Sequence, residues 1–549
     1  MMPDDIKTLS PEALSDLAGS VRQQILETVS RNGGHLSSSL GAVELVIALL
    51  RAFDPLSDRI LWDVGHQAYA WKILTDRGER FSTLRQIDGI SGFPNPDESS
   101  FDAFVAGHAG SSLAVARGMA AARDLKGEPE HIVAVIGDAA LANGMALEAL
   151  EGYRGGRRMI LVLNDNGSSC VRFNSEALLR SFGFSVLPRL DGHDISAMEE
   201  AFSHAKTSEG PVAIPIRTVK GRGFAPAEES PESWHGVGAF DLSAPTAKGD
   251  SATLGWSDSL GRALTDLASR DSHICALTAA MCEGTGLSCF AREFPDRFFD
   301  VGICEENLVA FAAGLAKNGM RPVVAVYSTF LQRAVDQVMQ DVCLLRLPVV
   351  FAVDRAGCVG HDGRTHHGMF DIPMLRCLPG LTIAQPSSAA ELREMLAQAL
   401  ESGGPWMIRY PRGKAVVACD ETKQLKVGIA RQLSNEAAPL QLWALGDQVP
   451  KARRVAEILN DRGVAAGVVD ARFVKPFDTK LLARQRAAGA VVVSLENGSV
   501  SGGFGEAIGA DLRLGWPDEF IDHGSVEDLE RQHGLDVPSL VSRIEEFMT

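Results

Sequence analysis

Short apolar runs rich in β-branched residues alternate with longer segments rich in alanine and leucine along the whole chain. The runs at 131–138 and 158–164 have the length of strands, and the segment 144–153 between them has the length of a helix. Apolar strands that alternate with helices form parallel sheets with helices on both faces. The pattern therefore predicts an α/β fold built from doubly wound, mainly parallel sheets.

The same alternation places the individual elements. Strands are predicted at 60–64, 131–138, 158–164, 212–218, 274–278, 298–303, 323–327, 349–353, 406–409, 440–445, 467–469, 490–495 and 520–523. Helices are predicted between most of these strands, including 144–153 and 331–345. The richest apolar segment, LGAVELVIALL, contains a glutamate and has only the length of a buried helix.

The chain of 549 residues is too long for a single hydrophobic core. Two stretches of low periodicity, 241–254 and 414–427, are typical of linkers between domains. They divide the chain into the pieces 1–245, 250–415 and 425–549. We expect each piece to form one α/β domain.

Charge and hydropathy argue against several classes of protein. The 70 acidic residues outnumber the 53 basic ones, and a net charge of −17 argues against a main task of binding nucleic acid or anionic lipid. The N-terminal segment has early acids and no apolar core, unlike a secretory signal. The nine cysteines show neither a CxxC pair nor zinc-ligand spacing, which is typical of reduced thiols. These features together predict a cytoplasmic protein without a membrane partner.

Two polar side chains follow neighbouring predicted strands. Asp138 lies in GDAALANG and Asn166 in NDNGSS, at a spacing that allows one helix between two parallel strands. Both side chains are then expected at the carboxyl edge of one sheet, where doubly wound folds bind ligands. A carboxylate, an amide oxygen and a nearby backbone carbonyl suit Mg²⁺ that also binds phosphate oxygens. Residues of this kind at strand ends also form ordinary turns, so the pair alone leaves both interpretations open.

Glu305 lies in DVGICEENLVAFAAG, between a predicted strand and a helix expected to open with Asn307. A carboxylate at this place commonly caps a helix or faces solvent, and it can also serve acid–base chemistry.

Histidines and arginines lie in glycine-rich turns. Glycine lets a backbone approach a ligand closely, so histidines beside it are candidates for a reaction site. The histidines of this kind are His35, His66, His108, His235, His366 and His367. Arg355 in VDRAG and Arg412 in YPRG follow predicted strands, and arginine binds phosphate through two parallel hydrogen bonds.

Taken together, these segments resemble the 1-deoxy-D-xylulose-5-phosphate synthase family, thiamine-diphosphate enzymes of the transketolase superfamily. The similar segments run in order from about residue 20 to 540. They are SRNGGHLSSSLGAVEL, LWDVGHQAYAWKILTDR, VIGDAALANGMALEAL, LNDN, KGRGFAPAE, FPDRFFDVGICEEN, AVYSTFLQRAVDQ, VDRAGCVGHDGRTHHG, RYPRG and DARFVKPFD. Of these, YSTFLQRA and DRAGCVGHDGRTHHG are far more specific than any general cofactor pattern.

The resemblance implies a fold, an activity and partners. The three pieces would be an N-terminal diphosphate-binding domain, a central pyrimidine-binding domain and a C-terminal transketolase-like domain. The cofactors would be thiamine diphosphate and Mg²⁺, placed between the first two domains of a homodimer. The reaction would join pyruvate to D-glyceraldehyde 3-phosphate with loss of carbon dioxide, and would yield 1-deoxy-D-xylulose 5-phosphate for isoprenoid, thiamine and pyridoxal synthesis.

The resemblance also implies residue roles. The metal ligands would be Asp138, Asn166 and the carbonyl of Ser168. The cofactor would contact His66, Gly107, Ser111, Asp138, Ala139, Asn166, Lys220, Ile303, Glu305 and Phe330. Glu305 would bind the aminopyrimidine, Phe330 would stack on it, and Ile303 would support the bent cofactor. The catalytic residues would be Glu305, His35, His66, His235 and His366. The acceptor and its phosphate would be bound by Tyr327, Arg355, Asp362, His366 and Arg412.

Three departures from the family pattern bear on activity. Ala139 stands where the family has the second glycine of glycine-aspartate-glycine, and it would cost on the order of 1 kcal/mol if this position requires a positive φ. The stretch between Asn166 and the LDGHD segment is much shorter than the insertion that members of the family have there. Asn307 stands where the family has histidine.

Two alternatives to this synthase activity stay open on the sequence alone. One is a paralogous enzyme that uses the same cofactor with a different acceptor. The other is a cofactor-binding relative that has lost turnover, an interpretation that Ala139 and the shortened stretch favour and that the retained Asp138, Asn166 and Glu305 oppose.

Overall fold

A computed structural model describes residues 3–153, 156–167, 173–246, 254–416 and 425–549. The chain divides into two compact units, Met1–Asp250 and Ser251–Thr549, which are called unit 1 and unit 2 below.

Unit 1 contains one six-stranded sheet. Its strands are β1 (Arg59–Trp62), β2 (Ile132–Gly137), β3 (Ile160–Asp165), β4 (Ser185–Val186), β5 (Leu190–Asp191) and β6 (Val212–Arg217). The order is β1-β2-β3-β6-β4, β5 also pairs with β6, and all of these pairings are parallel. Its helices are α1 (Pro3–Ile6), α2 (Pro11–Asn32), α3 (Ser37–Gly41), α4 (Val43–Ala52), α5 (Tyr69–Lys72), α6 (Ser112–Lys126), α7 (Asp138–Leu141), α8 (Gly144–Glu151), α9 (Ser175–Ser181), α10 (Ile195–Lys206) and α11 (Ala225–Glu229).

Unit 2 contains two sheets. Its strands are β7 (Ile274–Thr278), β8 (Phe298–Asp300), β9 (Arg321–Tyr327), β10 (Val350–Asp354), β11 (Thr382–Ala384), β12 (Trp406–Arg409), β13 (Arg431–Ser434), β14 (Leu440–Ala444), β15 (Ala466–Asp470), β16 (Phe473–Lys475), β17 (Val491–Ser499) and β18 (Leu512–Trp516). One sheet has the order β16-β11-β12-β10-β9-β7-β8 and the other β13-β15-β14-β17-β18. Among the described residues of unit 2, only the edge strands β16 and β13 pair antiparallel, so both sheets are mainly parallel as the sequence predicts.

The helices of unit 2 connect these strands. They are α12 (Trp256–Ala268), α13 (Ser288–Glu293), α14 (Glu305–Lys317), α15 (Ser328–Leu331), α16 (Val335–Gln337), α17 (Asp371–Leu375), α18 (Ala389–Glu401), α19 (Val449–Asp461), α20 (Thr479–Ala487), α21 (Phe504–Ala507), α22 (Val526–Gln532) and α23 (Val537–Met548). Within the described ranges, no helix combines the length and the apolarity that crossing a bilayer requires.

The apolar patterns form the elements that they predict, with two exceptions. The strand predicted at 520–523 is wrong, because this segment has irregular backbone and Phe520 is 72% exposed, whereas the edge strand of that sheet is β18. The helix predicted at 331–345 is also wrong as one element. The range contains the last residue of α15, a 3₁₀ turn at Gln332–Ala334, α16 and a π-helical turn at Val338–Cys343, so its hydrogen-bond spacing is not that of one continuous α-helix.

Buried charge links the two sheets of unit 2. Arg409 at the end of β12 is fully buried, and its Nε donates to Asp371 Oδ2 at 2.9 Å while its Nη2 donates to the carbonyl oxygen of Asn497 in β17 at 3.0 Å. Its Nη1 also donates to Gln385 Oε1. The guanidinium thus satisfies polar groups that would otherwise be buried without partners between the two sheets.

We expect Arg409→Met to destabilise unit 2 by about 3–5 kcal/mol, because it leaves the Asp371 carboxylate buried without its counter-ion. Urea unfolding followed by tryptophan fluorescence measures this loss. The control is Arg454→Met, which breaks an exposed ion pair with Glu457 and should cost about 0.5 kcal/mol or less. Equal losses in the two variants would contradict the role assigned to Arg409.

Candidate active site

The metal-ligand candidates lie at the carboxyl edge of the sheet in unit 1. Strands β2 and β3 are parallel neighbours with Gly137 opposite Asn164, so Asp138 and Asn166 follow adjacent strand ends. Asp138 is buried, and its Oδ1 accepts a hydrogen bond from the Ala139 N–H at 2.8 Å. The third candidate, Ser168, lies outside the described residues. A carboxylate and an amide oxygen at one sheet edge fit the oxygen ligands that Mg²⁺ prefers.

Ala139 does not have the backbone that would penalise alanine. It lies in α7 and is absent from the residues with positive φ. Because the cost expected from the sequence depended on a left-handed conformation, that cost does not arise in this structure. The helical conformation of Ala139 therefore removes one of the two features that favour a relative without turnover.

Three of the predicted histidines lie together in unit 1. The ring centroids of His66 and His235 are 5.0 Å apart, those of His35 and His235 are 5.7 Å apart, and those of His35 and His66 are 6.2 Å apart. We call these three residues the histidine cluster. The cluster shows that turns separated by 31 to 200 positions of sequence converge on one place, and the predicted Lys220 lies beside it.

Backbone pairing explains how two of these turns meet. The N–H of Gly34 donates to the carbonyl oxygen of Val237 at 2.8 Å, and the N–H of Val237 donates back to Gly34 at 3.0 Å. Gly34 is required here because a Cβ would lie 2.6 Å from the Tyr69 hydroxyl. The bridge sets His35 and His235, which flank it, side by side.

Burial keeps two members of the cluster, His66 and His235, uncharged at neutral pH. Burial and, to a smaller extent, the nearby Lys220 ammonium together lower the pKa of His235 to about 4, although Glu232 partly opposes this shift. Burial also lowers the pKa of His66 well below its usual value, with further lowering by His235, His35 and Lys220. The Lys220 Nζ lies 3.0 Å from Glu232 Oε1. Neutral imidazoles beside an ammonium group are suited to exchanging protons next to an anionic ligand.

A buried aspartate that the sequence analysis did not single out shapes the neighbouring turn. Asp63 follows β1, and its carboxylate accepts hydrogen bonds from the N–H groups of Gly110 at 2.8 Å and Ser112 at 3.1 Å. These bonds hold the turn that contains the predicted Gly107 and Ser111 at the start of α6. Asp63 lies in the segment LWDVGHQAY. Its position at the end of a strand is the sequence feature from which a structural role could have been predicted.

Glu305 is the buried first residue of α14, so this helix begins two residues earlier than expected. Its Oε2 has no hydrogen-bond partner in the part of the chain that the structure describes, and the nearest cation, Arg333 Nη1, is 3.9 Å away. Burial raises the pKa of Glu305, and the Arg333 charge partly opposes this. The geometry leaves a carboxyl that can hold a proton and offer it to a ligand. Ile303 is half-buried two residues before it.

The remaining predicted residues of unit 2 lie together near the carboxyl ends of β9 and β10. Tyr327 and Phe330 stack with centroids 5.7 Å apart, and Phe330 meets His366 edge-on at 5.6 Å. The Arg355 guanidinium lies over the Tyr327 ring at 3.6 Å, in cation–π contact. Arg355 has a left-handed backbone, with φ of 59°.

Arg412 completes this group from the next strand end. Its Nη1 donates to Asp362 Oδ2 at 2.9 Å, and 45% of its side chain is exposed. An exposed guanidinium with one carboxylate partner retains donors for a phosphate group. The predicted His367 has a different position: its two ring nitrogens bond to backbone groups of Val359 and Asp522, so it holds the loop.

Two further residues support this group and were not found from the sequence. Asp354 is buried beneath it, accepts a hydrogen bond from Ser257 at 2.6 Å, and has its pKa raised to about 6 by burial. Gly284 lies where a Cβ would come 1.7 Å from the Tyr327 hydroxyl. This close approach explains why glycine is needed at position 284, but the sequence around Gly284 does not predict the contact.

Four family models match this chain. Residues 1–174 match the model described as 1-deoxy-D-xylulose-5-phosphate synthase, and 91–260 match the transketolase thiamine diphosphate binding domain. Residues 252–416 match the transketolase pyrimidine binding domain, and 430–540 match the transketolase C-terminal domain.

Curated and solved proteins extend the similarity to the whole chain. The 1-deoxy-D-xylulose-5-phosphate synthase of Desulforudis audaxviator is 44% identical over 98% of this chain and 96% of the relative. That of Aquifex aeolicus is 42% identical over 100% of this chain and 97% of the relative. The crystal structure of a transketolase from Campylobacter jejuni, 20% identical, matches with a TM-score of 0.50 over 98% of this chain and 100% of the other, which supports the fold alone. Since relatives above 40% identity align along nearly their full length, the chain belongs to the 1-deoxy-D-xylulose-5-phosphate synthase family.

Proposed function

We propose that this chain joins pyruvate to D-glyceraldehyde 3-phosphate, releases carbon dioxide and forms 1-deoxy-D-xylulose 5-phosphate. The carbon atoms balance, because a three-carbon acid loses one carbon and adds to a three-carbon aldehyde to give a five-carbon sugar. Full-length relatives with this name support the proposal. The observation on which it rests is the buried Glu305 carboxyl, whose Oε2 has no hydrogen-bond partner among the described residues.

The residues present fit thiamine diphosphate and Mg²⁺. Asp138, Asn166 and the carbonyl of Ser168 would hold the metal, and Lys220 would face the diphosphate. When bound, thiamine diphosphate stabilises the carbanion that remains after pyruvate loses carbon dioxide. The remaining cofactor contacts would be made by His66, Gly107, Ser111, Ala139, Ile303, Glu305 and Phe330.

Glu305 has the chemistry that this cofactor requires. Burial raises the pKa of Glu305, which favours the protonated carboxyl more than in an exposed glutamate. In this state Glu305 would donate a hydrogen bond from Oε2 to a nitrogen of the aminopyrimidine ring. Phe330, which already stacks on Tyr327, would offer its ring to the same pyrimidine.

The histidines would move protons to and from substrate oxygens. His66 and His235 are neutral at pH 7, so in the resting state they do not repel the Lys220 charge. Each of these neutral rings can accept a proton from a substrate. His35 would act in the same cluster, and His366 would act beside the acceptor. Tyr327, Arg355, Asp362 and Arg412 would bind the acceptor, with the two guanidinium groups on its phosphate.

The competing interpretation of a relative without turnover has lost part of its support. Ala139 lies at ordinary helical angles, so it gives no reason for weak cofactor binding. The other feature that favours this interpretation remains: the alignment with the Desulforudis relative spans 607 positions, more than the 549 residues of this chain, so that relative has insertions that this chain lacks.

A paralogous enzyme with another acceptor differs from our proposal in its acceptor and product. Mass spectrometry of reactions with several aldehydes identifies the product.

We also propose a cytoplasmic homodimer with domains at 1–245, 250–415 and 425–549. Apolar side chains exposed on α14, on the π-helical turn Val338–Cys343 that packs against it and directly after this turn support a dimer. They are Phe311 (40% exposed), Met339 (47%), Leu344 (69%) and Leu345 (55%). Exposed apolar groups that lie close together are typical of surfaces that a partner covers. The seven cysteines of the described residues are free thiols, which supports a reducing compartment.

We expect Glu305→Gln to lower kcat by about two to four orders of magnitude, the range for loss of a positioned acid–base group. Consumption of pyruvate in the presence of cofactor, Mg²⁺ and aldehyde measures this effect. Glu306→Gln, the neighbouring carboxylate, is the matched control and should change kcat little. A Glu305→Gln enzyme as active as this control would refute the assignment.

For Arg412→Met we expect the KM for D-glyceraldehyde 3-phosphate to rise about 10- to 100-fold, because a charge-assisted hydrogen bond contributes roughly 1.5–3 kcal/mol. The KM for pyruvate should stay near that of the wild type, and so should the KM for D-glyceraldehyde, which has no phosphate. Arg393→Met, which removes another exposed arginine of unit 2, is the control. A parallel loss with both aldehydes would assign Arg412 another role.

Light scattering of the purified protein should give twice the mass of one chain. The double variant Leu344→Glu/Leu345→Glu should give the monomer mass, since it places charges on the apolar surface. Leu125→Glu alters a leucine that is 87% exposed on α6 of unit 1 and should leave the mass unchanged. A dimer that withstands the double variant would mean that the subunits associate through another surface.

A further inference from the structure

A buried charged group in unit 1 lies outside the residues discussed so far. Glu44 lies in α4 among apolar neighbours, and its Oε2 accepts hydrogen bonds from Arg22 Nη2 at 2.5 Å and from His193 Nδ1 at 2.9 Å. Burial alone would raise the pKa of Glu44, but the bonds from His193 and Arg22 outweigh burial and hold it at about 2. The carboxylate is therefore ionised and fixed in orientation at neutral pH.

His193 connects this carboxylate to the backbone beside Lys220. Only 6% of its side chain is exposed, and its Nε2 accepts a hydrogen bond from the N–H of Val219 at 3.0 Å. An N–H can donate only to an unprotonated nitrogen, so the ring proton lies on Nδ1 and is donated to Glu44. A charged imidazolium would turn a second donor toward the Val219 N–H, so the arrangement requires the neutral ring.

The backbone after Val219 is also held on its other side. The N–H of Gly221 donates to the carbonyl oxygen of Ser37 at 2.8 Å. Gly41 leaves room for the Val219 carbonyl oxygen, which a Cβ at that position would approach to 2.8 Å. Lys220 lies between these two anchors, and its charge reaches His66 and His235. A shift of either anchor would move the ammonium group relative to the histidine cluster.

We propose that His193, oriented by Glu44 and Arg22, is a positioning residue that holds the Val219 backbone so that Lys220 stays directed at the diphosphate of the cofactor. The proposal rests on the proposed role of Lys220 and adds a group that touches neither substrate nor cofactor. The chain Arg22–Glu44–His193–Val219 acts as a support behind the site. Pre-set placement of the ammonium group lowers the ordering cost of binding an anion.

Two substitutions of the same histidine separate its two hydrogen bonds. His193→Asn keeps a donor near the position of Nδ1 but has nothing that reaches Val219, whereas His193→Gln places an amide oxygen near the position of Nε2. We expect thiamine diphosphate, titrated with Mg²⁺ by calorimetry, to bind His193→Asn about tenfold more weakly than the wild type. His193→Gln should retain affinity within about twofold. His204→Gln, an exposed histidine of α10, is the control and should bind like the wild type.

A double-mutant cycle with Lys220→Met tests the route of the effect. If His193 acts through Lys220, His193→Asn should weaken binding no further, beyond about twofold, in a Lys220→Met background. The same tenfold loss in both backgrounds would overturn the proposal, and so would wild-type affinity of His193→Asn. If His193→Asn does not fold, Glu44→Gln takes its place. We expect Glu44→Gln to weaken binding about threefold in the wild-type background and to cause no further weakening in the Lys220→Met background. Failure of the wild type and of His204→Gln to bind thiamine diphosphate would instead refute the proposed function.

Discussion

Burial of both faces of each parallel sheet is the constraint on which the arrangement of the candidate sites depends. Helices cover the faces of the strands, so polar groups can approach a ligand only beyond the strand ends. Asp138 and Asn166 follow β2 and β3, Tyr327 is the last residue of β9, and Arg355 follows β10. The strand register that joins Gly137 to Asn164 and Tyr327 to Asp354 thereby sets which side chains meet.

Within this frame, the chain separates supporting charges from reactive groups. The supporting charges are buried and paired, such as Arg409 with Asp371 and Glu44 with Arg22. The groups for which we propose a role toward cofactor or substrate are neutral at pH 7, as in His66 and His235, or cationic and partly accessible, as in Arg412. A chain with a net charge of −17 thus presents local positive charge where an anionic substrate would bind.

The local sequence pattern predicted the features that neighbouring residues determine, namely the strands and the polar residues at their ends. The central strands lie within a few residues of their expected places, and the segments after them contain the expected Asp138, Asn166 and Glu305. The meeting of His35 with His235 depends on a backbone bridge between distant turns, which no periodicity encodes. The specific roles of Gly284 and Asp63 could not be predicted for the same reason, because each role arises from the close approach of another segment. The segment 520–523 resembles a strand in composition but has no neighbouring strand to pair with, and hydrogen bonds to a neighbour decide what becomes a strand.

The left-handed backbone of Arg355 has a consequence for attempts to engineer this protein. An arginine at φ of 59° is less stable there than glycine by on the order of 1 kcal/mol, because only glycine lacks the Cβ that is crowded in this conformation. Because the cation–π contact with Tyr327 offsets part of this strain, a selection for heat resistance alone favours glycine at position 355 where the strain is the larger of the two contributions. The selected proteins would melt at higher temperature and would lack the guanidinium that lies over Tyr327, so gains in robustness at this position would come with loss of the acceptor binding that we propose for Arg355.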